Sequence, residues 1–478
     1  MRPTYPAFRA VLTATLLVAG SHRLRAETRD DDIQALREQI RQLDQKLRAL
    51  ERKQELKDEA TVAAAKKLPV VSADAGGFKF ASPDKAFELR FGGTVQFDDR
   101  LFLDDGAPNR SRFILRRIRT PIQGTVAGKY GFNITPELGG GTGSTNSTVA
   151  LIDAWLSAQL TPQFNVKAGR FVSPVALEPG ANRHFIESPF VNTLLPNRDI
   201  GIEFYGTVAD GYASYRLGVY NGTRNNTQGF SSDEADGDPS FAGRIAVNPF
   251  KGQDGALSKL SLGLGFSVGN QRGDGAIGGA NALQNIVTNG QQTLVSFRNG
   301  TTGNGVIADG REVRFSPSLE WYPGNPWSVV AEYASDNVHY TRYAGATAAN
   351  SFTGTSTAWR GTVGYVLTGE ASSRAGVSPA SDFNLAQGTW GAFELVARVS
   401  GIEVAPELFR DPSRGGNLSR STNATGAIAY GVGVNWFLNR NVRVLVNAEK
   451  THFDFGGAGT GGVADDEFYL FTRLQLGF

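Results

Sequence analysis

The chain has 478 residues, a net charge of +2 and a pI near 8.6, too long for one ordinary core and too weakly basic for a nucleic-acid partner. With 58 glycines, 30 phenylalanines, no cysteine and one methionine, it favours turns and strands and excludes disulfide or thiolate-metal frameworks. Mean hydropathy is −0.24 and only one early segment is continuously apolar, which excludes helical membrane spans but not a barrel, whose alternation averages hydropathy away.

That early segment opens the chain as MRPTYPAFRAVLTATLLVAG. Arg2 and Arg9 precede the apolar stretch 10–20, which is too short to span a bilayer and fits an export signal over 1–26, cut after Ala26; an anchor helix is the alternative. Residues 27–60 follow with Ile33, Leu36, Ile40, Leu43, Leu47 and Leu50 at a and d spacing and charges nearly everywhere else. One such helix has too little apolar surface to stand alone, so the pattern predicts a coiled coil. Mixed Ile and Leu at the seam does not separate dimer from trimer. Residues 61–86 read as an Ala, Lys and Val linker.

From Phe87 to Phe478 the period becomes two. Phe87, Leu89, Phe91, Val95 and Phe97 alternate with Glu88, Arg90, Thr94, Gln96 and Asp98, and similar runs recur to FYLFTRLQLGF at the end. About sixteen such segments are present, near the length a tilted strand needs to cross a bilayer. Short links at 161–163, 208–211, 323–326 and 438–441 alternate with long polar stretches near 139–147, 172–198, 222–240, 270–310, 337–355, 402–425 and 454–465. Barrels inserted from the periplasm have that asymmetry. The link 369–389 is the exception: long, yet on the short-turn side by strand parity. The expected fold is all-β, a transmembrane antiparallel β-barrel of about 16 strands at 87–478, preceded by a short periplasmic coiled-coil helix.

If the apolar faces meet lipid, the intervening residues line the lumen. Alternation places there Arg90, Arg117, Arg119, Lys129, Lys167, Arg216, Arg244, Arg314, Arg360, Arg398, Arg443 and Arg473, against Glu88, Asp98, Asp153, Glu203, Glu320, Glu332, Glu394 and Glu449. The basic excess suits carboxylate or phosphate, since guanidinium is a planar, permanently charged fork. Mixed charges inside a barrel also cross-link its wall, so the excess counts only in aggregate. Trp155, Trp321, Trp327, Trp359, Trp390 and Trp436 mostly fall near strand ends, as in an interfacial girdle.

The stretches RRIRTPIQG (116–124), DAWLSAQLTPQFNVKAGRF (153–171), PNRDIGIEFYG (196–206), LTGE (367–370), WGAFELVARVS (390–400), GVNWFLNRNVRVLVN (433–447) and RLQLGF (473–478) resemble, in order, the phosphate-selective porins O and P. The resemblance implies a sixteen-stranded outer-membrane barrel, a homotrimer whose third loop folds inward to narrow a basic channel for phosphate-like anions. It also implies that the helix is a periplasmic stalk. Val172 and Ser188 stand where the family usually carries basic residues, and the loop 172–198 balances Arg183, His184 and Arg198 against Glu178 and Glu187. The constriction is therefore expected at Lys167, Arg170, Arg117 and Arg119, with Arg183, Arg198 and Arg216 nearby. By likeness to outer-membrane barrels generally, Phe478 is the signal read by the barrel-assembly machinery.

The expected function is passive diffusion of small anions across the outer membrane of a Gram-negative bacterium, with lipid around the wall and no cofactor, metal or catalytic residue. Two alternatives have their own sequence basis. The heptads permit a general porin that also tethers the envelope. A barrel hydrolase would need His184, His339 or His452, none of which falls in a nucleophile or metal motif.

Overall fold

The computed structural model describes residues 28–65, 68–104, 110–139, 149–178, 183–222, 225, 237–273, 283–297, 304–344, 347–410, 418–455 and 466–478. The proposed export signal lies outside them. The chain divides into two compact units, Met1–Leu68 and Pro69–Phe478.

In the first unit, α1 (Thr28–Ala65) is a single helix that runs past the boundary at 60 drawn from the heptads. Its seam residues Ile33, Leu36, Ile40, Leu43, Leu47 and Leu50 are all exposed. No described helix is long and apolar enough to cross a membrane.

The second unit begins with β1 (Val70–Asp74), β2 (Gly77–Ala81), β3 (Glu88–Phe91) and β4 (Thr94–Phe102). Then come β5 (Arg112–Arg119), β6 (Ile122–Val126), β7 (Tyr130–Glu137), β8 (Ala150–Gln159), β9 (Asn165–Val172), β10 (Arg198–Val208), β11 (Ala213–Tyr220) and β12 (Ser240–Val247). The remainder are β13 (Leu260–Arg272), β14 (Ile286–Val287), β15 (Thr293–Val295), β16 (Asn304–Trp321), β17 (Trp327–Ala344), β18 (Thr347–Val366), β19 (Ala392–Glu403), β20 (Gly426–Phe437), β21 (Val442–Asp454) and β22 (Asp466–Gly477).

All ladders are antiparallel, and β22 returns to β4 through Leu474↔Phe97 and Leu476↔Val95, which closes the sheet. β3 and β4 form one span bent at Gly92 and Gly93, and β5 and β6 another bent where Pro121 removes a ladder donor. Counted so, and with the β1–β2 and β14–β15 hairpins set aside, sixteen spans close the barrel. Closure matters in a bilayer because an unpaired edge exposes backbone that lipid cannot satisfy. At the seam, Phe478 and Gly93 exchange backbone hydrogen bonds of 2.9 and 2.7 Å.

The terminal strand follows its alternation: Leu474, Leu476 and Phe478 are exposed while Tyr469, Phe471 and Arg473 are buried inward. At the turn end, Trp436 donates to the Trp390 carbonyl at 2.6 Å and stacks on Phe393, and Trp327 packs on Tyr365.

Two sequence expectations need correction. Residues 70–81, read as linker, form the β1–β2 hairpin, because Val71, Phe78 and Phe80 alternate with polar neighbours in a segment too short to stand out from its Ala and Lys surroundings. Residues 337–355, read as a long loop, belong almost wholly to β17 and β18, of 18 and 20 residues. Their polar character marks strand raised above the apolar band, not loss of pairing: His339↔Thr353 and Thr341↔Ser351 continue the ladder. The long 367–391 connection does lie at the end of the short turns, bonded to them through Phe383 N to Leu438 O and Ser372 N to Asn325 O.

Candidate functional site

Two loops from the wide-loop end enter the barrel. The connection from β9 to β10 crosses the lumen, and its described parts, 173–178 and 183–197, are almost entirely buried. No periodic pattern holds it; the walls do. Leu177 N donates to Glu332 on β17 at 2.7 Å, Ile186 N to Asn447 on β21 at 2.7 Å, and Asn435 on β20 to the His184 carbonyl at 3.1 Å. Arg244, Arg398 and Arg473 donate to the carbonyls of Val175, Glu187 and Ile186 at 3.1, 2.9 and 2.9 Å. Gly265 lets the loop lie against β13, since a Cβ there would collide with the Val175 carbonyl.

The second loop, 283–297, folds in as the β14–β15 hairpin. Its tip residue Asn289 reaches Glu449 at 2.6 Å, and Thr288 reaches Glu467 at 3.2 Å. Its Ile286, Leu294 and Val295 join Phe190, Val191, Leu195, Leu408 and Phe453 in an apolar cluster. Sequence reading expected one inward loop and missed this one, whose apolar residues are too few and scattered to register as an element.

Most lumenal cations are paired, and the pairs fall on residues brought together by register. Lys167, directly opposite Glu203, lies 2.8 Å from its carboxylate, which Arg216 also holds at 2.8 Å. Arg119 meets Glu137 at 2.6 Å, Arg198 meets Asp153 at 3.0 Å, and Arg183 meets Glu394 at 2.7 Å. Arg473 is forked onto Asp98 at 2.6 and 2.8 Å, and Arg398 onto Glu449 at 3.2 and 2.7 Å. Glu187 of the inward loop sits among Arg100, Arg116 at 2.9 Å and Arg473 at 3.8 Å. Burial alone raises its pKa, but these guanidiniums, Arg116 foremost, hold it well below the usual carboxylate range.

Three expected residues sit elsewhere. Arg90 lies on β3, beyond the end of β22, half-exposed and 3.9 Å from Glu88. Lys129 is exposed in the turn between β6 and β7, where alternation no longer assigns a face. Arg170 opposes Ala154 and Ile200, out of phase with Lys167, and is buried, donating to the Ile152 carbonyl at 3.0 Å. The same alternation that puts Lys167 in the lumen gives Arg170 the opposite phase.

Near the closing seam, two arginines retain uncompensated charge among the described residues. On adjacent strands below the inward loop, Arg443 donates to Gln475 at 3.1 Å, Gln96 donates to the same oxygen at 2.9 Å, and Arg117 donates to Gln96 at 3.1 Å. This belt joins β21, β22, β4 and β5 and places an arginine at each end, neither with a carboxylate within ion-pair distance among the described residues. Across the lumen from it, between the inward loop and β11, β12, β13 and β16, is a cavity of about 560 Å³ lined by Arg216, Arg244, Lys259 and Arg374, with Glu320 the one carboxylate among its described lining residues. Lys259 and Arg374 come from turns, Arg374 from the long 367–391 connection, so strand alternation could not find them. Arg374 lies 3.2 Å from Glu320 and donates to the Leu177 carbonyl at 3.2 Å, tying that connection to the inward loop.

A Ser and His pair does meet in space, His184 Nε2 and Ser328 Oγ at 3.0 Å. His184 is 1% exposed and Ser328 0%, so a substrate has no access. Burial, followed by the charge of Arg183, pushes the His184 pKa well below its ordinary value and keeps the ring neutral. The pair anchors the loop to β17.

The model of the family described as phosphate-selective porin O and P matches residues 89–478. Porin O of Pseudomonas aeruginosa is 24% identical over 84% of this chain and 91% of its own length. The outer membrane channel DcaP of Acinetobacter baumannii superposes with a TM-score of 0.51 at 11% identity, over 82% of this chain and 98% of that one. An anion-selective porin from Comamonas acidovorans gives 0.50 at 12% identity, over 82% and 100%. With a lumen crossed by its third loop and a family match running almost the length of the barrel, the chain belongs to the phosphate-selective porin O and P family, a family of outer-membrane channels.

Proposed function

We propose that the protein passes small anions across the outer membrane by passive diffusion, with phosphate-like solutes the best fit to its guanidinium-rich lining. The observation that carries this reading is the belt Arg443–Gln475–Gln96–Arg117, whose two end charges have no carboxylate partner among the described residues. Glutamine bridges position a guanidinium without neutralising it, so the ends attract an anion that would otherwise leave its hydration shell unaided. The basic cavity on the opposite wall adds positive field toward the turn end. The balance is modest, because most other lumenal cations are spent on wall carboxylates. A reversal potential measured across a planar bilayer in a KCl gradient should favour chloride, and added phosphate should reduce chloride current at that site. Cation-favouring potentials overturn the reading.

The same reading includes export by the 1–26 signal, insertion by machinery that reads Phe478, and a homotrimer with α1 in the periplasm. The exposed apolar seam of α1 supports copies of itself as partners. It equally fits a tether to the envelope. Deleting residues 28–58 distinguishes the two: weaker oligomers with an intact envelope support the stalk, and a loosened envelope with unchanged oligomers supports the tether.

A further inference from the structure

We infer that the basic cavity under the inward loop binds a hydroxylated phosphate monoester, a sugar phosphate, in preference to inorganic phosphate. The inference rests on the anion reading above and adds the solute class and the residues that read it. The cavity exists because one lumenal row is built of small residues: Ser214, Ala246, Gly263 and Ser318 stand side by side on β11, β12, β13 and β16. Glycine is needed at 263, since a Cβ there would lie 2.5 Å from Arg244 Nη2 and 2.7 Å from Ser318 Oγ. At about 560 Å³ the space falls among cavities that hold organic ligands, roughly 300–1,000 Å³. Inorganic phosphate fills a small part of it.

Charge at the loop end fixes the anionic half of the solute. Arg216 and Arg244 stand directly opposite each other on β11 and β12, an arrangement that repels unless an anion is shared. Glu203 meets Arg216 at 2.8 Å but is also taken by Lys167 at 2.8 Å. Arg244 donates to the Val175 carbonyl at 3.1 Å and to Ser318, and meets no carboxylate within ion-pair distance among the described residues. Glu332, opposite Ser318 on β17, is already held by Arg360 at 3.1 Å. A phosphate monoester carries about −1.5 to −2 charges near neutral pH, and its oxygens suit guanidinium forks.

The other half of the cavity asks for hydroxyls. Glu320 lies two residues beyond Ser318 toward the turn end, about 7 Å along the strand, which is close to the length of one sugar ring. It is 8% exposed. Its Oε2 meets Arg374 at 3.2 Å, whereas Oε1 is buried with no hydrogen-bond partner among the described residues, as is the Tyr322 hydroxyl. A buried carboxylate oxygen left without a donor is costly. Inorganic phosphate held at Arg244 does not reach it, and a second phosphoryl group is repelled by it. Sugar hydroxyls instead donate to Glu320 and bond Tyr322 and Ser261, the latter directly opposite Glu320. Ala176 and Leu177 of the inward loop give the C–H face of the ring an apolar ceiling.

The full-length protein in a planar bilayer reports this site as block of chloride current by solute added at fixed ionic strength. Glucose 6-phosphate should block at a concentration roughly fivefold or more below that of inorganic phosphate, and glucose should not block. Tyr322→Phe, which keeps shape and charge, should weaken the glucose 6-phosphate block about threefold to tenfold and leave the inorganic phosphate block unchanged. Ser261→Ala, a smaller change, should act in the same direction, and Arg244→Gln should weaken both blocks. An anion-selective channel that binds the two phosphates alike, is blocked by glucose alone, or keeps its preference in both Tyr322→Phe and Ser261→Ala overturns this inference and leaves the anion reading standing. Cation-favouring reversal potentials overturn that reading and this inference with it.

Discussion

Replacing Arg443 by glutamine removes one belt charge while keeping a side-chain amide that can still reach Gln475. In water, a unit charge about 7 Å from a passing ion, roughly the reach from a wall guanidinium to the axis of a narrow pore, contributes about 0.6 kcal/mol. At 0.1 M salt the Debye length is about 10 Å, which reduces this to about 0.3 kcal/mol. Anions lose that attraction and cations lose an equal repulsion, so the anion-to-cation permeability ratio should fall about threefold for Arg443→Gln. With Arg117→Gln added, the fall should approach roughly eightfold if the two ends act independently. Reversal potentials in a tenfold KCl gradient read the ratio directly. Arg398→Gln behaves differently because Arg398 neutralises Glu449: stripping a buried carboxylate of its partner costs about 3–5 kcal/mol, seen as a lower melting temperature. Lys129→Gln, on the exposed turn, supplies the control. If it moves the ratio as far as Arg443→Gln does, or if the double belt variant moves it not at all, the belt does not set selectivity.

Glu187→Gln should release the inward loop from Arg100, Arg116 and Arg473, weakening that anchor by about 3–5 kcal/mol; larger single-channel conductance and faster proteolysis within 183–197 are the readouts. His184 predicts a pH effect in the same loop. Its folded pKa lies well below the ordinary 6.5, so an opened loop binds the proton more readily than a packed one. The contribution is fully present above about pH 6.5 and is lost as pH falls from there toward the folded value. Conductance fluctuations and proteolysis of the loop should therefore rise between pH 7.5 and 5, and the change in this window should vanish in His184→Gln. Gly93→Ala should impair closure, because its Cβ would lie 2.5 Å from the Phe478 ring; a smaller heat-modifiable folded fraction on unheated gels would show it, with conductance of the folded channels unchanged.

The barrel was legible because one chemical contrast, lipid against lumen, repeats every two residues through most strands. Legibility ended where that contrast ended. Above the apolar band, His339, Thr341, Ser351 and Thr353 are polar on a paired strand, so a rule built on alternating hydropathy sees a loop. The inward loops fail for another reason: Phe185, Phe190, Val191 and Leu195 are core residues, but their burial is created by the surrounding barrel and leaves no local period. Arg170 shows two kinds of inference in conflict. Resemblance drew attention to the basic residues of its stretch, whereas alternation already gave Arg170 the opposite phase from Lys167, and the ladder keeps that phase.

Charge itself was legible only as a sum, and selectivity depends on the remainder. Lys167 and Arg117 look alike in sequence, each a cation on a lumenal face. Register separates them: Lys167 opposes Glu203, and Arg117 opposes Gln96. The first is neutralised by its neighbour and serves the wall, while the second keeps its field. Such a difference belongs to no single segment, because it requires knowing which strand lies alongside and with what offset. A tally of basic and acidic residues therefore says that a lumen can favour anions. Which cations do so follows from the ladder: exchanging Gln96 for glutamate should silence Arg117 without touching it, giving the same threefold loss of anion preference as removing one charge from the belt. Retention of full anion preference in Gln96→Glu would mean that the end charges of the belt lie off the ion path.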